Sequence, residues 1–264
     1  MSSPKSLPSR RAWSTVLPKP RAPIAGLARA TAWAALSGLS FLALTGCVIG
    51  EPEPRPPAPI IPLAVGNTWN YTDSIYDDTA GGAPARLDSL RIRVMDTLTV
   101  SVSGIARRAY LWNVHEQTGN MPGALSLWLE NRANGNYTLG AQQDSASFTF
   151  ETLHLKHPAA AGDRYPLHFL SFTAADTGNG PQLIPVVDTL EALVVSVDET
   201  CVVPAGTFRC VHYRGLRPGN VVHADSWYAP GVGWLGSETF RDIVDMTGTR
   251  TVRVRRVLRS YTLY

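Results

Sequence analysis

The 264 residues carry 24 Lys and Arg against 21 Asp and Glu, a net charge of +3, with three cysteines and 44% hydrophobic residues. The base is concentrated at one end: residues 1–46 hold six basic groups and no acidic one, leaving 18 bases against 21 acids, a charge of −3, in residues 47–264. A nucleic-acid partner therefore loses its bulk electrostatic support, while 218 residues remain to build one sizeable core or two small ones.

The basic groups Lys5, Arg10, Arg11, Lys19, Arg21 and Arg29 precede an apolar run from Ala32 through Leu36, Leu39, Phe41, Leu42 and Leu44 to Gly46. A basic segment, a short apolar core and small residues form a secretory signal. The core is about fifteen residues, short of the roughly 20 that a spanning helix needs. Leu44-Thr45-Gly46-Cys47 resembles the lipobox of bacterial lipoproteins. That resemblance implies cleavage before Cys47, acylation of its thiol and new amino group, and stable membrane anchoring, because two or more acyl chains hold where one is marginal. Val48 rather than Asp after the cysteine implies sorting to the outer membrane. Ordinary signal cleavage without lipid, or a cytoplasmic basic arm, is the alternative reading of the same residues. The domain plan is a signal peptide over 1–46, lipidated Cys47 and a proline-rich spacer over 47–61, and a single antiparallel β-domain over 62–264. Six prolines in residues 50–62 give that spacer polyproline II character.

Pro62 to Tyr71 opens the domain, a turn at Gly66-Asn67 delivering Trp69 and Tyr71 to one face of a strand. Asp73 to Ala85 reads as a polar loop. Leu90, Ile92 and Val94, then Leu98, Val100 and Val102, alternate with polar residues and predict one long strand bulged at Asp96, or two strands. Tyr110, Trp112 and Val114 follow on one side of a third strand. Leu125, Leu127 and Leu129 alternate with Trp128 on the other face, and Asn134-Gly135 signals a hairpin. Ser147 to Lys156 forms a strand with a register change. Pro158 to Tyr165 then repeats the spacing of Pro62 to Trp69: proline, three residues, Gly, Asn or Asp, one residue, aromatic. This suggests a recurring turn. Thr173 to Pro181 reads as a loop, Thr189 to Val197 as a strand, Val221 to Tyr228 as another, and Gly231 to Gly236 as a glycine-rich connection before two closing strands. No sustained 3.6-residue stripe occurs after the leader. About ten to thirteen strands are expected in a curved antiparallel sheet or a partly open β-barrel built from hairpins.

With Cys47 assigned to lipid, Cys201 and Cys210 are the remaining thiols, and an exported compartment allows them to bond. Pairing symmetric about Ala205-Gly206 would set them face to face, close enough for a cross-strand disulfide. Pro-Leu-x-x-Gly-Asn-x-Trp-x-Tyr (62–71), Val-Pro-Ala-Gly-Thr-Phe (203–208) and Tyr-Ala-Pro-Gly-Val-Gly (228–233) together resemble a broad group of bacterial lipoproteins and periplasmic proteins without assigned chemistry. Members of that group look like a curved antiparallel sheet, somewhat similar to periplasmic carriers of lipoproteins. The resemblance sharpens the fold and supplies no catalytic group.

Among candidate sites, His154 and His157 have poor spacing for one metal on a strand. Equal arms about a Pro218-Gly219 turn would bring His212 beside His223, with Asp225 on the same face, a set that zinc could use. Asp225, Ser226 and His212 lack a nucleophile elbow. Asp198 and Glu199, as strand neighbours, point to opposite faces. Gly231 and Gly233 lack the strand-turn-helix setting of a dinucleotide site. No catalytic, metal or cofactor residue is therefore expected. The aromatic residues read first as core packing, and secondly as a binding face of Trp69, Tyr71, Trp112, Trp227 and Trp234 for a lipid, acyl chain or glycan. The overall expectation is a membrane-anchored, non-enzymatic lipoprotein with a structural or protein-interaction role. Binding of an apolar ligand in a concave aromatic face is the alternative, and a hydrolase a more remote one.

Overall fold

The computed structural model describes residues 57–77, 82–116, 125–143, 146–176, 181–245 and 248–264; the leader, the lipobox and Cys47 lie outside them. Twelve strands follow in chain order: β1 (Thr68–Tyr76), β2 (Arg86–Val102), β3 (Ile105–Glu116), β4 (Leu125–Arg132), β5 (Gly135–Gln143), β6 (Ala146–Lys156), β7 (Arg164–Asp176), β8 (Pro181–Val203), β9 (Gly206–Arg217), β10 (Val221–Ala229), β11 (Gly233–Asp245) and β12 (Gly248–Thr262). They form one sheet in the order β6-β5-β4-β3-β2-β1-β12-β11-β10-β9-β8-β7, every ladder antiparallel. The result is a nearly closed barrel whose two edges, β6 and β7, are consecutive in the chain.

Two-residue alternation builds its wall. Trp69 and Tyr71 of β1, Leu90, Ile92 and Val94 of β2 and Trp112 of β3 are buried together in the main core with Tyr165, Val194, Tyr213, Tyr228 and Leu258. Several segments expected to be loops belong to strands. Asp73–Tyr76 continues β1, residues 173–176 end β7, Pro181 begins β8, and Gly233–Gly236 opens β11. The Asp73 carboxylate, which made the first of these look like loop, is turned inward and paired. Asp96 sits in a register shift between Val94 and Thr97, within one long strand.

The spacing shared by residues 62–69 and 158–165 marks a repeat of the whole architecture. Gly66 N–H donates to Val94 O at 2.8 Å and Val94 N–H returns to Asn67 O at 2.9 Å; Gly162 N–H donates to Val194 O at 2.8 Å and Val194 N–H returns to Asp163 O at 2.9 Å. Both glycines hold the left-handed φ that other residues resist, +98° and +91°. Directly after the valine, β2 and β8 each shift register against the next strand. β4 and β10 shift again beside a tryptophan, at Trp128/Leu129 and Trp227/Tyr228. The extra residue opposite is Leu139 in one and Leu235 in the other, each fully buried and each followed by glycine. A Cβ on Gly140 would lie 2.4 Å from Phe148 O, and one on Gly236 2.4 Å from Arg256 O, so close backbone approach excludes a side chain at both. Strands β1–β6 and β7–β12 are thus two copies of one six-stranded meander.

In each copy the long second hairpin bends at the post-valine bulge and folds over its neighbours. The β2–β3 arm reaches β6, packing Val100, Val102 and Ala109 against Trp128 and Leu139 as a small second core. The β8–β9 arm reaches β12, where Ala205 N–H donates to Leu258 O at 3.3 Å and the Phe208 ring lies 6.1 Å from that of Tyr261. Its loop is Pro204-Ala205, since Val203 pairs with Gly206, and this corrects the expected register. Cys201 lies opposite Phe208 and Cys210 opposite Glu199. The disulfide forms all the same, across the diagonal, with Cα atoms 6.2 Å apart.

Candidate functional site

Four of the five residues expected on a binding face share the barrel interior. Trp69 stacks on Trp112 with centroids 4.8 Å apart, and Tyr71 lies 5.5 Å from Trp234, which stacks at 6.2 Å on Tyr228. Tyr213 meets Tyr228 edge-on at 5.8 Å. Trp227 is on the other face, stacked on His212 at 4.7 Å, because Trp227 and His212 are register partners while their neighbours Ser226 and Tyr213 point inward.

Several of these rings spend their polar tips on backbone. Trp69 Nε1–H donates to Val232 O at 2.7 Å, Tyr71 to Trp234 O at 2.9 Å and Tyr213 to Lys156 O at 2.8 Å. Burial raises the phenol pKa of Tyr71, Tyr165, Tyr213 and Tyr228 well above the usual value. Among the described residues the concave face is aromatic and apolar and carries a charged pair. Asp73 of β1 and Arg256 of β12 are register partners joined by two hydrogen bonds of 2.7 and 2.5 Å, the guanidinium 4.7 Å from the Trp234 ring centre. Their side chains are 8% and 13% exposed. Sequence reasoning read Asp73 as loop and so missed the pair; only the one-residue bulge between Asn70 and Tyr71 brings Arg256 into register with it.

One end of the interior is stoppered. Residues 58–62 run across it, with Ile60 and Ile61 1% and 2% exposed in the main core. Gly231 N–H donates to Pro59 O at 2.8 Å, Asn131 to Ile61 O at 2.7 Å and Asn67 to Pro62 O at 2.9 Å. All three recognised motifs fall at this end: Gly66 starts β1, Pro204-Ala205 tips the arm, and residues 230–232 turn β10 into β11. Trp69 ties the first motif to the third through Val232.

The polar candidates assemble differently. His212 and His223 are not opposite each other, because the turn gives Arg217 to Val221 as partners and His223 is skipped at a bulge. Instead His212 is buried on the outer face between Asp225 (2.8 Å) and Glu199 (3.3 Å), with Arg214 2.7 Å from the same Asp225 oxygen. Burial pushes the Asp225 carboxyl up, but the His212 and Arg214 hydrogen bonds outweigh it and hold the group below its usual value. Ser226 points away from His212, and Asp198 pairs with Arg209 on the opposite side from Glu199. Among the described residues no cluster of three or more His, Cys, Asp or Glu is placed to hold a metal. A cleft of about 490 Å³ is lined by Arg164, Tyr165, Leu190, Glu191 and the 217–220 turn.

No family model matches the chain, and no curated protein matches it. Two solved structures are similar to it: a Bacteroides fragilis protein described as exported, with a YmcC-like fold, at 16% identity and a TM-score of 0.36, and a Parabacteroides distasonis protein described as a lipoprotein, at 13% and 0.32. Each similarity covers 78% of this chain, with 100% and 99% of the other. Scores this low carry no argument about this chain.

Proposed function

We propose that the protein is an envelope lipoprotein, anchored through Cys47, whose barrel binds an apolar ligand such as an acyl chain without catalysing a reaction on it. The observation that carries the reading is the continuous inner face of Trp69, Tyr71, Trp112, Tyr213, Tyr228 and Trp234, closed at one end by Ile60 and Ile61. An interior of rings, four of which (Trp69, Tyr71, Tyr213 and Trp234) already bond backbone carbonyls, offers little directional bonding, which suits a hydrocarbon better than a glycan. Interior tryptophans also provide the readout. The full chain, purified from membranes in detergent, is titrated with cis-parinaric acid; energy transfer from tryptophan to a saturable bound polyene is expected. Native mass spectrometry of the freshly purified protein should show a co-purified apolar species. No saturable transfer and no bound species would return the protein to a structural or protein-interaction role. Acylation is read separately, as the mass of the N-terminal peptide beginning at Cys47.

A further inference from the structure

The repeat gives the barrel two equivalent junctions, β1 with β12 and β7 with β6, and one of them is closed. β1 and β12 share nine register pairs from Thr68↔Thr262 to Tyr76↔Arg253. β6 and β7 are joined by no ladder among the described residues and stand as the edges of the sheet. Near the stoppered end, side chains take the place of the ladder. The Tyr165 hydroxyl accepts from Lys156 N–H and donates to His154 O, both at 3.3 Å, and Tyr213 reaches from β9 to Lys156 O. Lys156 Nζ pairs with Asp163 at 2.9 Å across the connection. Leu153 and Leu155 of β6 and Leu167 of β7 pack against the main core beside this gap.

We propose that the β6–β7 seam is a lateral port through which an unbranched apolar chain of the fatty-acyl class enters the aromatic interior, with Tyr165 as its latch. The inference rests on the ligand reading above and names its route. The seam itself disfavours a peptide strand as occupant. β6 and β7 run antiparallel to each other, so a single inserted strand would be parallel to one edge in a sheet whose ladders are all antiparallel. A hydrocarbon asks nothing of the edge N–H and C=O groups and matches the leucine lining. The route across the stoppered end would require displacing Ile60 and Ile61 from the core, whereas opening the seam requires parting side-chain hydrogen bonds and no ladder.

Stopped-flow mixing of the full chain in detergent with cis-parinaric acid tests the latch. Tyr165→Phe removes the hydroxyl and both its hydrogen bonds; association is expected to quicken about tenfold, equivalent to about 1.4 kcal/mol, with equilibrium affinity moved less than about threefold. Binding by both proteins at equal rates overturns the port and leaves the ligand reading standing. Absence of binding by the natural protein overturns both. A diazirine-bearing fatty acid photolysed in the natural protein during uptake gives the same decision without a substitution, should Tyr165→Phe fail to fold. Labels on residues 148–155 and 164–168 support the port, and labelling confined to other strands overturns it.

Discussion

Arg256 and Asp73 show how one residue pair sets the character of the interior. Two charges removed from water cost several kcal/mol each, and their attraction offsets that only while both are present. Arg256→Met should therefore destabilise the domain by about 3–5 kcal/mol in urea unfolding, because it leaves the carboxylate buried alone. The double change Asp73→Leu with Arg256→Met should recover most of that loss. Recovery of none would mean that the pair holds structure beyond its own charges. His154 is a second residue with a measurable signature. It is part-exposed at the β6 bulge yet hemmed in, and burial pushes its pKa down to about 4. In the unfolded chain the ring takes its proton near pH 6.5. The folded form therefore loses stability as pH falls from about 6.5 to about 4, by roughly 2–3 kcal/mol at most since the ring keeps some solvent contact. Above pH 6.5 this contribution is fully present. His154→Phe should flatten that part of the stability profile, and an unchanged slope would assign it to other groups.

Among the elements, the two arms are the same device solved twice. Cys201 and Cys210 in the second correspond to Val100 and Ala109 in the first, by their places opposite Phe208 and Glu199, and opposite Arg107 and Leu98. Where one arm uses a covalent bond, the other packs a valine, 5% exposed, beside a fully buried alanine. Val100→Cys with Ala109→Cys should therefore oxidise to a second disulfide, read as a loss of two thiols, and raise stability by about 2 kcal/mol less the lost packing. Persistent free thiols would refute the equivalence. Much of this level was legible beforehand. Clean alternation in β2 and β3 and the turn chemistry at Gly66, Asn134 and Gly206 announced strands and hairpins, and the Pro62 and Pro158 spacings announced the recurring turn. Breaks in the alternation announced the shifts at Asp96 and within residues 147–156, but the registers elsewhere were not legible. Neither a displaced turn nor a one-residue bulge leaves a trace in composition: the turn at Pro204-Ala205 decides that Cys201 meets Cys210 diagonally, and the 218–220 turn together with the bulge at His223 decides that His212 meets Trp227 rather than His223. Sequence spacing also stopped short of the duplication, because the residues the two copies share, such as Val94 and Val194 or Trp128 and Trp227, are scattered among segments that differ.

At the scale of the molecule, the last residues of the proline-rich stretch are part of the fold, since Ile60 and Ile61 stopper the barrel. Reading Ile60 and Ile61 as tether rather than core followed from the prolines around them, which exclude regular structure without excluding burial. The unpaired seam has a further consequence, for the order in which the chain can be written. Residues 57 and 264 both belong to the stoppered end, where Tyr264 N–H donates to Asn67 and Ala58 O meets His157. The connection between β6 and β7 lies at that same end and crosses no ladder. A circular permutant that starts at Ala161, runs to Tyr264, continues through a glycine-serine linker into Pro57 and ends at Ala160 therefore breaks no strand pairing. It should keep the far-ultraviolet dichroism of the natural domain and a cooperative melt. Loss of folding would show that the connection holds the barrel together in a way its hydrogen bonds do not disclose. In the permutant β7–β12 precede β1–β6, so the molecule could have been encoded with either half first.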